Sequence, residues 1–238
     1  MDQLQITPPS AFSAVSAVSA ERVTTFLRRV YGWMFVGLGV TATVALGVAS
    51  SPALVQTIFG NKFLFFGLFI AELALVFTLS ARVNRLAPAT ASALFLVYSA
   101  LNGALLAFVF LAFTGTSIAT TFFVTAGTFG ALALYGTTTK RSLAGIGQFV
   151  FMGLIGVVLA SVVGMFVKSE GLQFAISVIG VIVFTGLTAW DSQRLKLMAA
   201  TVPEERYGSY AVVGALALYL DFINLFLFLL RFLGGRRD

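Results

Sequence analysis

Residues 214–231 read Gly-Ala-Leu-Ala-Leu-Tyr-Leu-Asp-Phe-Ile-Asn-Leu-Phe-Leu-Phe-Leu-Leu-Arg. The run is apolar and long enough for most of a bilayer crossing, which takes about 20 residues. Asp221 stands near its middle. A carboxylate at the bilayer centre costs at least about 2.5–3.5 kcal/mol on insertion scales, so Asp221 must face protein or water. Gly214, Ala217, Asp221, Asn224 and Phe228 recur at helical spacing and share one face. A span with such a small, polar stripe packs at the centre of a bundle or lines a cavity. Two readings of Asp221 follow from the residues alone: a neutral carboxyl that glues helices together, or a group in an ion path.

Six further apolar runs lie upstream. With the last, they give spans at about 30–50, 62–81, 87–112, 117–136, 146–167, 172–193 and 209–232. The connections are short and carry turn or polar residues, such as Ser50-Ser51-Pro52 and Thr137 to Ser142. The fold expected is all-α and integral to the membrane, one transmembrane domain over residues 22–235. Residues 1–21, with Pro8, Pro9 and a repeated Ser-Ala-Val, read as a flexible tail that the mature protein keeps.

The composition agrees with this reading. Hydrophobic residues make up 59% of the chain and charged ones 10%, against roughly 25% charged in soluble domains. A net charge of +6 does not imply nucleic acid, because the basic residues are scattered at span ends. Ten of the 15 Lys and Arg fall on the N-terminal side, among them Arg22, Arg28, Arg82, Lys140 and Arg206. Five, including Lys62, Lys168, Arg231 and Arg236, fall on the other. The N-terminus is therefore expected in the cytoplasm. Seven spans place the basic C-terminal tail outside, which leaves six spans or a re-entrant last segment as an alternative.

Cysteine and histidine are both absent. Disulfides, thiol and Ser-His nucleophiles and zinc clusters are thereby excluded, and no enzymatic activity or bound cofactor is expected. A pH response near neutrality would have to come from a carboxylate, a buried lysine or the N-terminus. The remaining intramembrane charges are then informative. Glu72 lies halfway along the second span and is either packed between helices or lines the pore beside Asp221. Arg82 closes that span and either snorkels to the interface or reaches inward. Asp191 closes the sixth span, where it pairs with Arg194 or meets Asp221. The last contact needs the sixth helix to run past Arg194 or the seventh to start later than drawn.

Four stretches in order carry a resemblance. They are Val30-Tyr31-Gly32-Trp33-Met34, Thr125 to Gly130 running on to Thr139-Lys140-Arg141, Gly186 to Lys196, and Gly214 to Arg231. Together they resemble the bacterial Bax inhibitor-1 family over residues 22–235. The resemblance implies two three-helix bundles around a central C-terminal helix, in a bacterial inner membrane. It implies a pH-sensitive calcium leak gated by a hydrogen-bonded carboxyl pair, Asp191 and Asp221, with Arg82 as a latch. Ser142 departs from the pattern, since many relatives carry aspartate there. Two close carboxylates cannot both ionise cheaply, so the pair would share a proton. With Asn224 and water, the two aspartates would make only a loose calcium site. A regulatory role, modulating a membrane-bound protease as some relatives do, is the competing reading. A proton-coupled transporter ranks last, because no pair of broken half-helices is evident.

Overall fold

The computed structural model describes residues 11–167, 169–235 and 237, with side chains from residue 20 onward except that of Met165. Residues 1–10 of the expected tail, and Lys168 and Arg236 of the charge balance, lie outside the described residues. Eight helices follow in chain order: α1 (Ala11–Ala49), α2 (Pro52–Gly60), α3 (Lys62–Ala81), α4 (Pro88–Ala112), α5 (Gly115–Thr138), α6 (Ala144–Phe166), α7 (Glu170–Thr201) and α8 (Tyr207–Leu233). All but α2 are long and apolar enough to cross a membrane, which gives the seven spans expected.

The helix starts follow from the local chemistry. Ser51 caps α2 with proline at its first position, Asn61 caps α3, Thr114 caps α5 and Ser169 caps α7. Each side chain accepts a bond from an N–H that the helix leaves without an internal partner, and in an apolar medium such groups cannot turn to water. Pro88 opens α4, where its missing N–H is harmless.

Three boundaries differ from the sequence reading. The first helix is already formed at Ala11, within the stretch read as a tail. Phe26 and Val30, beside Arg28 and Arg29, are fully buried, so the packed part of α1 begins ahead of residue 30. Helix α2 occupies what reads as a connection; its nine residues are too few to cross a membrane. Helix α7 runs to Thr201, well past the drawn end at 193. Hydropathy marks where the bilayer ends, not where the helix ends. In the extension Leu195 and Ala199 are buried while Arg194 and Leu197 are exposed, an amphipathic turn pattern that continues the helix into the polar layer.

Helix α8 is the most buried span and packs against α1, α3, α4, α5 and α7. Around it, α4 joins α1 to α3, and α7 joins α5 to α6; α1 also touches α7 directly. Arg22 near the start of α1 and the end of α8 lie at opposite ends of the bundle. Arg22 pairs with Glu204 at 3.2 Å and donates to the Val202 carbonyl at 3.3 Å, so the start of α1 sits beside the α7–α8 connection. At the other end the Thr114 N–H donates to the Gly235 carbonyl at 3.2 Å and the Arg237 N–H to the Ala112 carbonyl at 3.0 Å. An odd number of crossings follows, which sets aside the six-span alternative.

Candidate functional site

The register of α7 against α8 places the two aspartates. The Phe184 and Phe228 rings stack at 5.8 Å between these antiparallel helices. Seven residues on from Phe184 is Asp191, and seven back from Phe228 is Asp221. Seven residues is close to two turns, so both side chains return to the shared face at one level. Asp221 is 5% exposed, and Asp191 is the charged side chain whose field reaches it. The longer α7 supplies the extension past Arg194 that the contact needs. Asp191 lies ten residues from Thr201 and Asp221 fourteen from Tyr207, about 15 and 21 Å along their axes.

The two carboxyls share no hydrogen bond among the described residues, and Oδ2 of Asp221 is buried without a partner. Arg194 approaches Asp191 at 4.0 Å and its guanidinium lies over the Trp190 ring. That contact is long and its arginine largely exposed, so it contributes about 0–1 kcal/mol at most. Among the described residues no group of three or more His, Cys, Asp and Glu comes together. A calcium ion between the aspartates would take most of its 6–8 oxygens from amides, carbonyls or water.

The turn of α7 carrying Asp191 is anchored from the N-terminal side of the membrane. The Leu143 N–H donates to Oε1 of Gln193 at 2.8 Å, while Nε2 of Gln193 donates to the Arg141 carbonyl at 2.8 Å. Nζ of Lys196 donates to the Thr137 carbonyl at 2.6 Å and so caps the C-terminus of α5. Gly136 and Gly147 let Ala189 and Trp190 approach so closely that a Cβ at either glycine would clash.

Arg82 is not part of this site. It caps the C-terminus of α3, is exposed, and forms no ion pair with either aspartate; α7 does not pack on α3. Among the described residues no ion pair joins Arg82 to either aspartate, so this arrangement shows no latch. Asn224 uses its amide N–H to donate to the Leu220 carbonyl at 2.8 Å and lines a cavity of about 530 Å³ with Phe69, Ser161, Gln173, Phe184 and Phe228. A larger cavity of about 900 Å³ adjoins it at Gly164, Gln173 and Arg231, near the end of the bundle away from Arg22. Arg231 donates to Oε1 of Gln173 at 3.3 Å between the two. Glu72 and Asp221, expected to line one cavity, do not line this one. It reaches Phe69 and Asn224, three residues from each, and stops there.

Glu72 has different neighbours. It is 8% exposed, its Oε1 has no partner, and the Asn102 side chain on α4 is its polar neighbour. Beyond Asn102 runs a chain of buried polar groups on three helices. The Tyr219 hydroxyl lies 3.2 Å from Oδ1 of Asn102 and 2.6 Å from Oγ1 of Thr41, which is 2.9 Å from the Ser99 carbonyl. Nδ2 of Asn102 donates to the Tyr98 hydroxyl at 3.4 Å. Tyr219 and Asp221 are two residues apart, so they project about 200° apart around α8. Sequence reasoning passed over this chain. The amide of Asn102 inside a span was the available signal, because a buried amide requires partners.

Comparison with known proteins agrees with the fold. The profile described as "Inhibitor of apoptosis-promoting Bax1" matches residues 23–238. The inner membrane protein YbhL of Escherichia coli (strain K12) is 52% identical over 216 residues, covering 90% of this chain and 92% of that protein. An uncharacterized protein of Borreliella burgdorferi is 44% identical, over 90% of this chain and 93% of its own length. One of Deinococcus radiodurans is 42% identical, over 92% and 93%. With seven apolar helices, a match over nearly the whole chain and relatives at this level of identity, the protein belongs to the Bax inhibitor-1 family.

Proposed function

We propose that the protein is a pH-sensitive cation leak, with calcium as the principal ion, gated by Asp191 and Asp221. The observation that supports this most strongly is the facing of the two carboxyls across α7 and α8, one of them with a buried oxygen that nothing satisfies. The adjoining cavities supply the rest of a path. They open toward the end of the bundle away from Arg22 and end at Asn224, one helical turn from Asp221. Protonation of the pair removes the like-charge repulsion between α7 and α8 and keeps the path closed. Its loss leaves two like charges that repel at close range in a poorly screened interior. The same loss creates the anionic oxygens a calcium ion needs. Opening and ion entry therefore both follow deprotonation, and flux should rise with pH.

The charge balance supports a cytoplasmic N-terminus, which puts Asp191, nearer the end of α7 than its start, toward the cytoplasmic side. The Escherichia coli relative is named an inner membrane protein, and we place this chain in the bacterial inner membrane on that likeness. Liposomes containing only this protein and a trapped calcium dye test the reading. The expected result is calcium entry that Asp221→Leu abolishes or strongly alters. Tight liposomes at every pH would overturn it, and modulation of a membrane protease would then be the surviving function.

A further inference from the structure

Glu72 is the buried charge that the gate does not use. It sits on α3, inside a span, and α3 packs against α2, α4 and α8. Helix α2 carries no titratable residue. The titratable groups that act on Glu72 from the other two helices are Tyr98 and Tyr219. Among the described residues no ion pair reaches it. A lone carboxylate in such a place is expensive, yet one amide, that of Asn102, stands ready beside it.

Counting donors shows what that amide can do. The chain of Thr41, Tyr219 and Asn102 admits two orders of hydrogen bonding, because each hydroxyl has one proton to give and lies near two acceptors. In one order Tyr219 donates to Thr41 and Thr41 to the Ser99 carbonyl, which leaves Oδ1 of Asn102 open. In the other Thr41 donates to Tyr219 and Tyr219 to Oδ1 of Asn102. Its Nδ2 meanwhile donates to Tyr98 with one N–H and has a second to give. A neutral Glu72 is a donor and suits the first order. An ionised Glu72 accepts the second amide N–H and suits the other.

We propose that Glu72 is a proton-binding site separate from the aspartate pair, and that taking up or releasing this proton reverses the hydrogen-bond order of the Asn102–Tyr219–Thr41 chain. The ligand is a proton exchanged with water. Phe69, one turn away on α3, lines the cavity that adjoins the wide opening at Gln173 and Arg231, which brings open space within one helical turn of Glu72. The chain links α3 to α4, α8 and α1, so the proton is felt on four helices. This site does not depend on the ion that the protein conducts.

Infrared difference spectroscopy of the full chain in liposomes tests it, between about pH 5.5 and 9, where exposed carboxyls are already ionised. Glutamate labelled with carbon-13 at the carboxyl separates Glu72 from the aspartates without any substitution. A protonated-carboxyl band that disappears as pH rises, shifts with the label and is lost in Glu72→Gln is expected. It should persist in the Asp191→Asn/Asp221→Asn variant. In Tyr219→Phe, which keeps the ring and the carboxyl, the same band should move in frequency. A labelled band that does not change with pH, no labelled band, or no effect of Tyr219→Phe would each overturn the proposal. A proton site with no calcium flux would leave it intact while refuting the leak.

Discussion

Removing one oxygen from Tyr219 isolates the energetics of the buried chain. Tyr219 is fully buried, and its ring meets Phe95 and Tyr98 edge-on at 5.8 and 5.7 Å. Phenylalanine preserves those contacts and the apolar area, so Tyr219→Phe deletes only the bonds to Thr41 and Asn102. Interhelical hydrogen bonds in membranes contribute about 0.6 kcal/mol on average and about 1.7 at most. Thr41 and Tyr219 have two protons for three contacts, and after the substitution Thr41 still donates to the Ser99 carbonyl, so the net loss is one bond, about 0.6–1.7 kcal/mol. Tyr98→Phe deletes one long bond and should cost only about 0.5 kcal/mol. Equilibrium unfolding in mixed detergent micelles, followed by circular dichroism, reads both. In a cycle with Thr41→Val, the coupling to Tyr219→Phe should be about 0.6–1.7 kcal/mol. Equal costs for the two phenylalanine variants, or full additivity in the cycle, would refute the chain as an energetic unit.

Four other outcomes follow from the packing and the topology. A Cβ at Gly103 would stand 2.6 Å from the Thr41 carbonyl oxygen and 3.1 Å from its Cα. Backbone cannot yield as a side chain does, so Gly103→Ala should destabilise the α1–α4 pair by about 1–3 kcal/mol. Gly127→Ala, with open space around it, should be neutral or stabilising in the same micelle assay. Gln193→Ala breaks both bonds to the α5–α6 connection, and amide exchange at Leu143 should accelerate by at least about tenfold, the equivalent of about 1.4 kcal/mol; unchanged protection would refute the anchor. Because the chain has no cysteine, single cysteines report sidedness cleanly. An impermeant thiol reagent outside intact cells should label Lys62→Cys and Glu170→Cys but not Arg85→Cys or Ser142→Cys, and the reverse pattern would invert the topology.

The seven spans were legible because each is a long apolar run and the bilayer imposes that length. The facing of Asp191 and Asp221 was not legible. The apolar run ends at residue 193, and the register needs the extension to Thr201, which polar residues such as Arg194 and Lys196 disguise. Helix α2 was hidden for the opposite reason. Ser51-Pro52 signals a turn and a helix start equally well, and nine residues carry too little periodicity to decide. The hydroxyl chain brings Thr41, Asn102 and Tyr219 together from three helices distant in sequence, and no spacing joins them. Arg82 was ambiguous in another way. A basic residue closing a span carries no signal that separates a latch from an ordinary helix end, and here it caps α3.

Calcium flux against pH, in liposomes of the wild type and of the Asp191→Asn/Asp221→Asn variant, tests the central claim most directly. Asparagine keeps the size and the hydrogen-bonding capacity of aspartate and cannot titrate, so the fold survives while the shared proton is gone. The sign follows from the pair: raising pH removes its proton, adds a like charge and opens the contact. Wild-type flux should rise by about tenfold or more across the titration of the pair, the equivalent of about 1.4 kcal/mol in the gate equilibrium. The variant should show a flat profile, and each single variant most of that flattening. A double variant whose flux still follows pH as the wild type's does would contradict the account and leave the two aspartates as packing between α7 and α8.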